Sequence, residues 1–147
     1  MGLLELEQHL LQNDLNSLER AVLGKLLCGD LPLLIQLRQQ LSKCHVARRE
    51  YSGVGFFTDF IIPEDISRTP GLDIQFGDVI GSHPELKNGA GFVLFIKNGV
   101  LDMLEGYTYD EPWPSSYSGF NLAYVTGRER DWLALKEKLS RAPHSSS

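Results

Sequence analysis

The stretch GAGFVLFIKNGVLDMLEGYTY, residues 89–109, constrains this chain more than any other. Asn98-Gly99 sits between two apolar runs, and a two-residue type I′ turn needs positive φ at both central positions, which Asn and Gly tolerate best. The reading is a β-hairpin with those two residues as its loop. By strict alternation outward from the turn, Lys97 opposes Val100, Ile96 opposes Leu101, Phe95 opposes Asp102, Leu94 opposes Met103, Val93 opposes Leu104 and Phe92 opposes Glu105. Opposed residues share a face. Phe92, Leu94, Ile96, Leu101, Met103, Glu105 and Tyr107 are therefore expected on the core side. Asp102 and Glu105 then point apart and form no carboxylate dyad. Glu105 becomes an acid among apolar side chains, where it must be paired, hydrogen-bonded or protonated. Desolvated acids of this kind are candidates for chemistry. The plainer reading, a rim position reaching solvent or Arg48 or Arg49, carries more weight.

Helical periodicity precedes the strands. Leu3, Leu4, Leu6, Leu10 and Leu11 suggest a short helix ending near Asn13. Asn16 and Glu19 have capping-box spacing, and Leu18, Val22, Leu23, Leu26 and Leu27 continue at helical intervals until Gly29. Asp30 is the expected cap of a further helix, with Pro32 in its first turn and Leu33, Leu34, Leu37 and Leu41 on its apolar face. From residue 45 the period becomes two. Residues 45–52 and 53–62 read as strands, or as one long strand bent at Gly53 and Gly55; 74–80 and 120–126 read as further strands, and Arg128 to Leu139 as a last helix. These elements imply one α+β domain over residues 1–140, with a mainly antiparallel sheet of about four to six strands. The N-terminal helices and the C-terminal helix pack on that sheet. Residues 141–147 have the composition of a disordered tail.

Composition excludes some functions. The chain has 147 residues and a formal net charge of -5. It lacks the basic patch of a nucleic-acid binder and the polybasic segment of a membrane-surface protein. The N-terminus has acids where a signal peptide has bases, and no apolar run approaches the roughly 20 residues that span a bilayer, so a cytoplasmic protein is expected. Cys28 and Cys44 lack ligand spacing, and the four histidines show no metal-binding pattern, so neither metal nor cofactor is expected. The glycine pairs in GVGFF and GAGFV are not followed by helices and make no phosphate cradle. No catalytic residue stands out. His83 near Glu105 would be a base with an orienting acid. Asp59 could meet Asp102 or Glu105 if their strands are neighbours.

Tyr107, Tyr109, Asp110, Glu111 and Trp113 form an acidic-aromatic cluster, stiffened by Pro112 and Pro114 and followed by Tyr117 and Phe120. Aromatic anchors interleaved with carboxylates suit a basic protein partner. The alternative, Trp113 folded back to cap the sheet edge, weighs equally. The segments GVGFFTDF, NGAGFVLF and LDMLEGYTYDEPWP also resemble a family of small, uncharacterised bacterial proteins that share a leucine-rich helical start, a GVGFFT strand and an LEGYTY…WP segment. That resemblance covers most of residues 25–115. It implies a bacterial, cytoplasmic, single-domain protein and carries no catalytic residue across. The expectation is a non-enzymatic binding protein with an acidic-aromatic surface, comparable to immunity proteins in size and acidity. The alternative is a small enzyme or ligand-binding protein with a pocket around Glu105, Asp59, Asp102 and His83.

Overall fold

The local signals at the start of the chain act as the spacing requires. In the computed structural model, which describes residues 14–140, Asn16 caps helix α1 (Ser17–Leu26). Its side chain accepts the Glu19 N–H at 2.8 Å, and the Glu19 carboxylate accepts the Asn16 N–H at 2.9 Å. The expected first helix, over Leu3 to Leu11, and the tail from 141 lie outside the described residues. Helix α2 (Pro32–Leu41) begins at Leu31 with no side-chain cap, so the expected capping by Asp30 does not occur. Pro32 sets the first turn instead, its fixed φ already suited to a helix.

The β region forms a six-stranded, wholly antiparallel sheet. Its strands are β1 (His45–Tyr51), β2 (Gly55–Ile61), β3 (Ile74–Ser82), β4 (Ala90–Lys97), β5 (Val100–Thr108) and β6 (Asn121–Tyr124), in the spatial order β1-β2-β5-β4-β3-β6. Residues 45–61 make a tight hairpin rather than one bent strand, turning at Gly53, whose φ is +92°. A final helix α3 (Trp132–Ser140) starts four residues later than the periodicity suggests, where the Asp131 carboxylate accepts the Ala134 N–H at 3.0 Å. The architecture is α+β, with two N-terminal helices, the sheet and one C-terminal helix. Leu23, Leu26, Leu34 and Leu37 are fully buried with Phe76, Phe92, Leu94, Leu101 and Leu104, so the core lies between α1, α2 and one face of the sheet.

The register of the central hairpin differs from strict alternation. Asn98 and Gly99 do form the turn, with φ of +51° and +77°, and Lys97 pairs with Val100 and Ile96 with Leu101. Phe95 then pairs with Met103, and Asp102 is left as a one-residue bulge. Every pair beyond it shifts: Leu94 opposes Leu104, Val93 opposes Glu105 and Phe92 opposes Gly106. A one-residue slip exchanges the two faces of a strand. Glu105, Met103 and Tyr107 therefore lie on the outer face and not toward the core. The energetics favour this. Strict alternation would expose Leu104, forfeiting roughly 2 kcal/mol, and would strand a carboxylate among aromatics at a cost of several more. A disrupted ladder step costs about 1 kcal/mol. Here even that loss is offset, because the Leu101 N–H donates to Gln40 Oε1 at 2.9 Å.

Candidate functional site

The bulge builds a second, outer face on the sheet, and none of the described helices packs on it. Strand pairing lays its side chains out in rungs. One rung runs Glu50, Phe57, Glu105, Val93 across β1, β2, β5 and β4. The next toward the turn runs Arg48, Asp59, Met103, Phe95, Gln75, and the next away from it Gly55, Tyr107, Gly91, Ile80. Phe57, Val93, Phe95, Met103, Glu105 and Tyr107 are all half-buried. Tyr107 stands between glycines on both neighbouring strands. Its phenol lies where a Gly91 side chain would project, so Gly91 makes room for the ring. Tyr109 meets Tyr107 edge-on at 5.7 Å and is 51% exposed.

The charges on this face are unevenly paired. Arg48 bonds Glu50 at 3.1 Å and approaches Asp59 at 3.7 Å. Arg49 points to the opposite face and binds Glu19. Neither arginine reaches Glu105, and among the described residues no basic side chain forms an ion pair with it. Desolvation by its neighbours pushes the Glu105 carboxyl above its ordinary range. Burial, with Tyr109 and Glu105 nearby, pushes the Tyr107 phenol up as well. The structure thus brings Asp59, Glu105, Tyr107 and Tyr109 onto one surface. Asp59 is a diagonal neighbour of Glu105, since it pairs with Met103 while Phe57 pairs with Glu105.

The other sequence candidates are placed elsewhere. Glu111 accepts the backbone N–H groups of Lys87 at 2.7 Å and Asn88 at 2.9 Å, which holds its carboxyl below the usual range. Glu85 reciprocates by accepting the Ser115 N–H at 3.1 Å and its hydroxyl, again lowering a carboxyl pKa. The two acids clasp loop 108–116 to loop 83–89. Trp113 donates its backbone N–H to Gly53 at 2.8 Å, and its indole packs on Phe56 and Phe120, each at 5.3 Å. It folds back to close the end of the core. His83 is buried, 4.8 Å from the Phe120 ring. Its Nδ1 accepts the Glu85 N–H at 3.0 Å, so Nε2 carries the proton and donates to the Ser116 carbonyl at 3.0 Å. Both ring nitrogens are engaged in the loop clasp, on the core side, away from Glu105. Asp110 (φ +63°) and the bulged Asp102 are exposed. The Tyr117 side chain lies outside the described residues.

Sequence reasoning missed three buried polar residues. The Glu19 carboxylate is fully buried and receives Arg49 Nε and Nη2, both at 2.7 Å, and the Thr58 hydroxyl at 2.6 Å, besides its cap bond. Gln40 is fully buried, donates to the Ser67 and Gly99 carbonyls and accepts from Leu101. Arg130 spends all five guanidinium N–H groups: two on Asp78, at 2.6 and 2.9 Å, and three on the carbonyls of Lys25, Leu26 and Cys28 at the end of α1. Only Glu19 carried a local signal, its place in the capping box.

Grooves of about 300 and 360 Å³ are found among the described residues. The first lies between α3 and β3 around Phe76, Asp78, Leu135 and Lys138, and the second is bounded by Tyr51, Gly53, Trp113, Pro114 and Ser115. Neither is lined by Asp59, His83, Asp102 or Glu105. Among the described residues no three His, Cys, Asp or Glu side chains are grouped to hold a metal ion, and no helix is long and apolar enough to cross a membrane. No protein-family model, curated protein or solved structure matches this chain.

Proposed function

We propose that this chain is a non-enzymatic binding protein that docks a basic protein partner on the outer face of its sheet. The observation that carries the reading is Glu105, an acid without an ion-pair partner among the described residues, at the centre of a half-buried aromatic surface. Among the described residues no ion pair calls for a carboxylate there, whereas a cationic partner would supply the missing charge. Tyr107, Tyr109, Phe57 and Phe95 are stiff side chains suited to the centre of an interface, with Glu50, Asp59 and Asp110 as acids around them. The docking surface is thus centred on the sheet and takes only Tyr107, Tyr109 and Asp110 from the loop cluster. Glu111 and Trp113 support it by fixing the loop. An inhibitor of a basic protein, acting as immunity proteins do in a bacterial cytoplasm, fits the same surface. A small enzyme with a pocket at Glu105 has less support, because neither described groove is lined by Glu105 and His83 is engaged elsewhere.

The test is affinity capture from native cells with the wild-type chain and with a Glu105→Lys, Tyr107→Ser variant of unchanged melting temperature. The expected result is a basic protein retained by wild type, released by added salt and lost with the variant. Capture that is indifferent to both substitutions would sink the reading.

A further inference from the structure

We propose that the position around Glu105 receives an arginine side chain of the partner, its guanidinium paired with the Glu105 carboxylate and stacked against Tyr107. The inference rests on the docking reading above and specifies what that surface recognises. Arg48 is already engaged by Glu50 and Asp59, so Glu105 is the half-buried acid of this face left without a cation among the described residues, Asp110 being exposed. It has Phe57 and Val93 across the neighbouring strands and Tyr107 two residues along its own strand, so a cation arriving there must shed much of its water. A guanidinium is planar, weakly hydrated and able to pair with a carboxylate while lying on an aromatic ring. An ammonium is compact and strongly hydrated, and loses more on an apolar surface. Tyr107 provides the ring. Gly55 and Gly91 leave it without a flanking side chain on either adjacent strand, and its contact with Tyr109 is edge-on.

A second copy of this chain is the poorer occupant. Face-to-face stacking would bring Glu105, Asp59 and Glu50 against their counterparts, with Arg48 already committed, and like charges in a desolvated contact repel.

The experiment titrates the full chain with a short, end-blocked peptide carrying arginine, and with peptides of the same sequence carrying lysine or citrulline. Backbone and side-chain NMR shifts report the binding position. The arginine peptide is expected to perturb Phe57, Glu105 and Tyr107, and to bind about tenfold tighter than either control. Glu105→Gln should weaken it about tenfold, the ordinary loss for a charged hydrogen bond, and Glu105→Lys should abolish it. Equal binding of the arginine and lysine peptides on this face would overturn the arginine assignment while leaving the docking reading intact. So would a Glu105→Gln variant of wild-type affinity. Absence of any shift on this face with both cationic peptides would overturn the two together.

Discussion

Among single residues, Arg130 makes five hydrogen bonds from a buried position. A helix ends with carbonyls that have no partner within it and a partial negative charge, and here the buried Arg130 guanidinium takes those of Lys25, Leu26 and Cys28 while Arg38 takes that of Leu27. Arg130 also lies 5.3 Å from the Tyr124 ring and 5.5 Å from that of Trp132. Arg130→Met keeps much of the volume but leaves Asp78 and the Leu26 and Cys28 carbonyls short of a donor, while Lys25 keeps the Tyr124 hydroxyl. A loss of about 3 kcal/mol is expected, read from urea denaturation; a loss within experimental error would contradict this account. Glu105 gives the opposite sign. Its carboxyl pKa lies above the ordinary 4.5 in the folded chain, so between the two values the folded state holds a proton that the unfolded state has released. Stability therefore falls as pH rises through the raised pKa. Glu105→Gln removes that dependence and should be the more stable form at about pH 7. The difference should vanish near pH 4, and solvent screening at a half-buried site keeps it to a few tenths of a kcal/mol. Denaturation midpoints at the two pH values check it.

At the level of elements, the β4–β5 hairpin depends on a side chain far away in sequence. Gln40 binds both the Gly99 carbonyl and the Leu101 N–H, fixing the bulge that puts Glu105 and Tyr107 outside. Gln40→Leu should cost about 2 kcal/mol by leaving those groups unpaired. It should also speed amide hydrogen exchange at Leu101 and Asp102 more than at Val93 or Glu105; uniform acceleration along the hairpin would refute a local role. The dependence also explains what the sequence could reveal. The capping box and the Asn98-Gly99 turn were legible because their partners lie within three residues. The register beyond Leu101 was not, because its determinant sits 61 residues away. One hint was present: strict alternation buried Glu105, and such a conflict between pattern and burial is itself a sign of wrong register. The sequence left Trp113 open between docking and folding back, and gave no sign of the clasp made by Glu111, because their partners Phe56, Phe120, Lys87 and Asn88 come from other segments.

Seen whole, the described residues give the sheet one face covered by helices and one face without them. Cys44 belongs to the first. It is fully buried beneath the helices, and burial pushes its thiol up to about 11, whereas Cys28 is exposed. A thiol reagent should therefore modify Cys28 at once and Cys44 only as fast as the core opens, so that the second rate tracks global unfolding. Similar rates for both thiols would show that the helices detach independently. The bonds of Arg130 also carry a consequence for synthesis. Its donor to the Leu26 carbonyl bridges 104 positions. As the chain leaves the ribosome, Arg38 can close the Leu27 carbonyl early, but the Leu26 and Cys28 carbonyls must wait for nearly every other element. A growing chain can form the helices and the first hairpin early, but the final lock arrives with the last strand and helix. Until then the helix-facing side of the sheet is the surface that a chaperone would need to guard.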